Sequence, residues 1–184
     1  MQPVYDLGSQ AVLQAACLVQ SALPDYFETM GPEQANAVVT AEFGSADCEL
    51  ARCMAALDGY DVPGILCTYP MNELAERQYR SVQLVARTLT MEEYRSFAGN
   101  LRSLRSGLPD IVGKGTYLAF IAVAVRARGT GLANALMVEA IERAGSEPLL
   151  LTVRNDNRRA RAFYHRHRFI VAAEGTQFSL LKRD

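Results

Sequence analysis

A chain of 184 residues has the length of one domain, and 49% hydrophobic with 21% charged residues is the composition of a folded globular protein. The net charge of −1 provides no general basic coat for nucleic acid or an acidic membrane, and no apolar run approaches the roughly 20 residues of a membrane span. No basic leader followed by an apolar core opens the chain, so a cytoplasmic location is expected. Cys17, Cys48, Cys53 and Cys67 lack CxxC spacing and read as small buried hydrophobes in a reducing compartment.

In chain order, a short strand near Val4–Leu7 precedes a helix that Ser9 caps and Pro24 ends, with Leu13, Cys17 and Leu18 at helical spacing. Pro32 suits the first turn of a second helix with apolar Val38, Val39 and Phe43. The period then shifts. "LARCMAALDGYDVPGILCTYP" reads as two strands joined at Asp58-Gly59. Residues 71–106 return to a helical pattern broken near Thr88–Thr90, where "TMEE" is a capping box. Thr116–Val125 is a long apolar strand covered on both faces, and a helix runs from about Gly131 to Ala144, stopped by Gly145. A buried strand, Pro148–Arg154, a short helix in "NRRARAFYHRHRF" and a hairpin turning at Glu174-Gly175 complete the chain. The order ααββααβαβαββ predicts one mixed α/β sheet with helices on its faces, including a right-handed parallel crossover from Thr116 to Arg154.

The passage "VAVRARGTGLANALM", Val123–Met137, takes that crossover from strand to helix through two glycines flanked by arginine. A first helical turn leaves N–H groups unpaired at the positive end of the helix dipole, and glycine lets a ligand come close to the main chain. Together they make an anion site, most often for phosphate. A P-loop would follow its second glycine with Lys-Ser/Thr, where Leu132-Ala133 stands. A dinucleotide fingerprint needs GxGxxG, and here only one GxG occurs. RxxGxG, Arg126 to Gly131, does fit. With it the sequence resembles the GNAT superfamily of acyl-CoA-dependent N-acyltransferases, in which Q/R-x-x-G-x-G/A joins the fourth strand to the third helix. "LTVRNDNRRARAFYHRHRF" resembles the family's second motif at Leu151, Val153, Asn157, Ala160, Phe163, Tyr164 and Phe169. It departs at Arg168, where the family has glycine. The resemblance covers about Thr116 to Asp184.

This resemblance implies a single acetyltransferase domain over residues 1–184, with a mixed, mostly antiparallel sheet, helices on both faces and central strands that splay. It implies acetyl-CoA as cosubstrate and no metal. Arg126, Arg128, Gly129, Thr130, Gly131, Leu132 and Ala133 would form the pyrophosphate cradle, the amides of Arg128, Thr130, Leu132 and Ala133 facing the phosphates. The main chain near Val123 and Val125 would meet pantetheine, their side chains being core. Tyr164 would protonate the departing thiolate, a role that suits a phenol with pKa near 10. Phe163 neighbours it, and Asn157 would bond the pantetheine arm, cap the following helix, or both. The family's carboxylate base early on the fourth strand has no counterpart in "GKGTYLAF"; a water relay, Tyr117 and a carboxylate from the inserted helices stay open.

Most family members have a short turn where about 45 residues, 71–115, stand here; the segment reads as a lid over the acceptor site or as a bracing or dimerising element. Among nineteen basic residues only Lys114 and Lys182 are lysines, and six arginines fall between Arg154 and Arg168. These read as a rim for the CoA 3′-phosphate or as a solvated helix face, with a nucleic-acid patch ranked last. His165 and His167, two apart on a helix, point to different faces and make a poor metal pair. The expected function is transfer of acetyl from acetyl-CoA to a primary amine on a small molecule or peptide, by direct attack. The alternatives are an acyl-CoA sensor without activity and a nucleic-acid-associated acetyltransferase.

Overall fold

The computed structural model describes residues 1–184. Its strands are β1 (Gln2–Pro3), β2 (Cys53–Asp58), β3 (Asp61–Pro70), β4 (Thr116–Val123), β5 (Leu149–Arg154), β6 (Ile170–Glu174) and β7 (Phe178–Arg183). Its helices are α1 (Ser9–Ala22), α2 (Pro32–Phe43), α3 (Leu74–Thr88), α4 (Met91–Ser106), α5 (Leu132–Ala144) and α6 (Arg158–Arg166). One sheet holds every strand in the order β1-β2-β3-β4-β5-β7-β6. All neighbours are antiparallel except β4 and β5, which the α5 crossover joins in parallel.

Alternation along β4 and β5 feeds two cores. Tyr117, Phe120, Ala122 and Leu150 point to the side covered by α1 and α2, where Ala15, Val19, Val39 and Phe43 meet them. Leu118, Leu149, Leu151 and Val153 point to the other side, against Leu136, Met137 and Ala140 of α5. The helices between β3 and β4 add a third cluster, in which Val85 of α3 and Phe97 of α4 close on Val38 of α2. Arg77 ties α3 down: its guanidinium is bound by Glu73 and by the carbonyl oxygens of Ala46 and Cys48.

Several local expectations shift. The N-cap of α1 is Gly8 rather than Ser9. The buried face of α1 is Ala15, Ala16, Leu18 and Val19, so Leu13 and Cys17 turn to solvent, and Cys17 is an exposed thiol. Both stripes are apolar at 3.6-residue spacing, and only the packing on β3 and β4 selects between them. The first strand lies at Gln2–Pro3, ahead of a short 3-10 turn at Val4–Asp6. The capping box at the start of α4 is formed in full, Thr90 accepting from the Glu93 amide and Glu93 from the Thr90 amide.

β4 has two features that position a site. Opposite β3, Cys67 faces Phe120 but Thr68 faces Leu118, so Ala119 is an extra, bulged residue. Against β5, only Thr116–Leu149 and Tyr117–Leu150 pair before the two strands part. The strand also stops at Val123 rather than Val125. The Ala124 amide donates to the Pro63 carbonyl at 2.8 Å, and the backbone then folds into a tight turn over Val125–Ala127.

Candidate functional site

The parting of β4 from β5 opens a cleft of about 590 Å³. Ile121, Ala122 and Val123 form one wall, while Asn157, Ala160, Phe163 and Tyr164 form the other. One end is closed by Arg128, Gly129, Gly131, Ala133 and Asn134 at the start of α5, and Ser21 and Ala22 of α1 lie on the far side.

The loop before α5 is shaped as an anion cradle. Gly131 is the N-cap at φ 90°, in the left-handed region, which leaves the amides of the first turn of α5 directed out of the helix. A Cβ built at Gly129 or Gly131 would find no heavy atom within 4 Å, so the space beside these main-chain groups is open. The Thr130 hydroxyl donates to the Ala127 carbonyl at 2.8 Å and braces the turn from inside. The donor set, main-chain N–H groups at a helix N-terminus with arginines nearby, fits a diphosphate.

Four residues expected in this site lie elsewhere. Val125 follows the strand and is 75% exposed, so neither its side chain nor its position belongs to the core or the cleft. Arg126 turns to the opposite side of the loop and pairs with Asp61 at 3.3 Å. Thr130 and Leu132 face that same outer side, where a shallow cavity also holds Asp58 and Asp61. The amides also divide unevenly. Arg128's donates to the Val125 carbonyl at 3.2 Å, which withdraws it from a phosphate, while Leu132's leans on the Thr130 hydroxyl at 3.4 Å. Val123, Arg128, Gly129, Gly131, Ala133, Asn157, Phe163 and Tyr164 do line the cleft.

On the α6 wall, Asn157 caps the helix, its Oδ1 accepting from the Ala160 amide at 3.0 Å. Tyr164 stands about two turns beyond Asn157. Burial alone pushes its phenol up to about 12, with no hydrogen bond contributing. No enclosed side-chain oxygen or nitrogen lacks a partner, so this hydroxyl opens into the cleft. The helix ends in a Schellman motif: the Phe169 amide reaches Tyr164 and the Arg168 amide reaches His165, with Arg168 at φ 65° where glycine is the easier residue. The departure at Arg168 therefore leaves the helix exit intact.

The arginine-rich segment divides by partner. Arg154 is held by Asp25 and Asp156, and Arg161 by Asn155 and Ser179. Arg128, Arg159 and Arg166 are left at the cleft. His167 sits against Asn134 at 3.1 Å, and its pKa is lowered by burial and then by Arg166 and Arg183. His165 stays exposed and does not converge with it.

Residues 103–169 match the model of the Acetyltransferase (GNAT) family. This chain has the GNAT fold. Over the whole chain it is similar to an N-acetyltransferase from Staphylococcus aureus Mu50, with a TM-score of 0.73 at 16% identity over 96% of this chain and 97% of that one. It is also similar to the PaiA N-acetyltransferase from Thermoplasma acidophilum, solved in complex with coenzyme A, with a TM-score of 0.52 at 12% identity over 97% and 95%. A histone acetyltransferase HPA2 and related acetyltransferase from Corynebacterium glutamicum ATCC 13032 gives a TM-score of 0.58 at 18% identity over 96% and 92%. A sequence search of curated proteins gave no match. At these identities the structures speak for the GNAT fold alone.

Two carboxylates missed in the sequence appear on the other side of this GNAT sheet. Glu42 of α2 is 3% exposed and receives the Ser81 hydroxyl at 2.6 Å. Glu49, in the turn before β2, receives the Tyr69 hydroxyl at 2.5 Å, and its amide donates to Ser81 at 3.0 Å. Burial raises both pKa values, Glu42 to about 8. Glu42 had a signal: it sits at the apolar spacing of Ala35, Val38 and Val39. Glu49, in an irregular turn, had none. Tyr117, a candidate base, donates to or accepts from Thr152 at 2.9 Å, and burial pushes its phenol well above the usual value. At position 115 no carboxylate could stand, because a Cβ would lie 2.1 Å from the Pro148 carbonyl oxygen. No helix of the chain is long and apolar enough to cross a membrane.

Proposed function

We propose that this chain transfers acetyl from acetyl-CoA to a primary amine, with the β4–β5 cleft holding the acyl donor. The observation that carries this reading is the cleft itself, with a glycine-lined helix N-terminus at one end and an open phenol on its wall. Gly129, Gly131 and the first-turn amides of α5 bind the pyrophosphate, while Arg128, Arg159 and Arg166 add positive charge beside it. Main-chain groups of β4 near Val123, left without a β5 partner, pair with the pantetheine arm. An amide in this stretch also stabilises charge that builds on the thioester oxygen.

In direct transfer the amine nitrogen bonds to the thioester carbon and the carbon–sulfur bond breaks. An ammonium substrate sheds two protons, one to free its lone pair and one as the amide forms. The thiolate takes up one proton from Tyr164, which is then restored from solvent, so one proton is released per turnover. A phenol near 12 stays protonated until the thiolate leaves.

The test begins with calorimetric titration of acetyl-CoA, desulfo-CoA and NAD. Binding of both CoA compounds without NAD supports the cleft as the donor site, and no binding of either CoA compound overturns it. Tyr164→Phe is then expected to lower kcat by roughly 10- to 100-fold, the range of one positioned acid, with acetyl-CoA affinity within about threefold. An unchanged kcat at saturation removes Tyr164 from the chemistry.

A further inference from the structure

A second cavity, of about 170 Å³, lies under α3 and α4 on the α1 side of the sheet. Its lining meets that of the donor cleft along β4, the first ending at Phe120 and the second beginning at Ile121. Leu23 of α1, Val82 of α3, Leu104 of α4 and Phe178 of β7 make it predominantly apolar. Glu42 and Glu49 stand in its wall.

Neither carboxylate has an ion-pair partner in the chain. Arg77, the nearest buried cation, is committed to Glu73 and two backbone carbonyls, and Arg105 is exposed at the rim. Enclosed acidic side chains in proteins are ordinarily paired. Here Tyr69 and Gln78 donate to Glu49, and both Glu49 and Gln78 stand in the cavity wall. Two further polar groups, Tyr117 and Thr152, stand in the same wall. The Tyr69 ring lies 5.7 Å from that of Tyr117, whose hydroxyl meets Thr152 at 2.9 Å where β4 and β5 separate. The volume sets the size of an occupant, since an apolar cavity on the order of 150 Å³ takes a benzene ring.

We propose that this cavity is the acceptor pocket for a small primary amine whose body is one ring or a short alkyl chain, its ammonium docking on Glu49. The inference rests on the acetyl-transfer reading above. Glu49 accepts the first proton of the ammonium and leaves the nitrogen lone pair free to attack. Glu42, kept neutral by its enclosure against the opposing hydrogen bond from Ser81, leaves one negative charge for one positive charge. A polyamine brings surplus charge into an apolar pocket, and an amino acid brings a carboxylate beside Glu49; both are selected against.

The test is calorimetric titration of 2-phenylethylamine, spermidine and phenylalanine into the full chain, free and saturated with CoA. Wild type is expected to bind 2-phenylethylamine at least tenfold more tightly than the other two. Glu49→Gln, which keeps the shape and removes the charge, and Val82→Trp, which fills the cavity and keeps both carboxylates, are each expected to lose at least tenfold. Preference for phenylalanine or spermidine, no 2-phenylethylamine binding in either state, or undiminished binding by both variants overturns the pocket. Acetyl-CoA titration of the same samples separates the two ideas: loss of donor binding sinks the transferase reading, while a Glu49-dependent amine isotherm still stands.

Discussion

Replacing Glu42 by glutamine tests the electrostatics of the second cavity without reference to any substrate. The Glu42 carboxyl is held at about 8, first by burial and then by the Coulomb field of Glu49, against the opposing hydrogen bonds of Ser81 and the Leu50 amide. The folded chain therefore keeps a proton that the unfolded chain gives up near pH 4.5. Between about pH 4.5 and 8 the folded state binds more protons, so stability falls as pH rises through this window and levels off above it. At about 1.4 kcal/mol per pH unit the window corresponds to roughly 5 kcal/mol, an upper bound because local opening and water entry relieve part of the cost. Glutamine mimics the protonated acid: its amide can donate to Ser81 while its oxygen accepts from Leu50. Glu42→Gln is expected to match wild type near pH 5 and to exceed it by about 2–4 kcal/mol at pH 8.5. That corresponds to roughly 5–15 °C in Tm for a chain of this size. Urea unfolding of both proteins at several pH values reads the difference directly. Two stability curves that stay parallel from pH 5 to 8.5 would refute the buried-acid account.

Gly131→Val places a β-branched residue at φ 90° and a side chain in the open space beside the cradle. Acetyl-CoA affinity is expected to fall at least tenfold by calorimetry, and an unchanged affinity would dissociate this loop from the donor. Arg168→Gly relieves a left-handed arginine at the end of α6, a conformation costing about 1 kcal/mol. Its Tm is expected to rise by roughly 2–4 °C, and a fall would show that the arginine side chain contributes more than its backbone costs.

The elements were legible because each had a local cause. Pro32 at the first turn of α2, the capping box of α4, and Gly145 after α5 all act within a few residues. Much of the lining of the β4–β5 cleft was legible for the same reason. Arg126 to Gly131 and Leu151 to Phe169 are short segments, each carrying its own turn or helix cap, so their local shape can be read in one dimension. Even there, the orientation of single side chains was not: Arg126 faces Asp61, a residue on another strand, and no spacing within the loop encodes that choice.

The cavity that holds Glu42 and Glu49 is a product of assembly. Glu42 and Glu49 come from α2 and an irregular turn, Tyr69 from β3, Ser81 from α3, and Thr152 from β5; they meet only when five elements pack. Within residues 71–115, Val82 and Leu104 line the second cavity while Val85 and Phe97 complete a core with Val38. The sequence by itself determined where the chain turns, where its helices begin and which loop presents bare backbone, because those depend on neighbouring residues. Tertiary structure decided which of two apolar stripes on α1 is buried, where β4 leaves β5, and which acids lose their water. Those outcomes depend on what lies across the sheet, and the dielectric around a carboxylate is a property of everything packed against it.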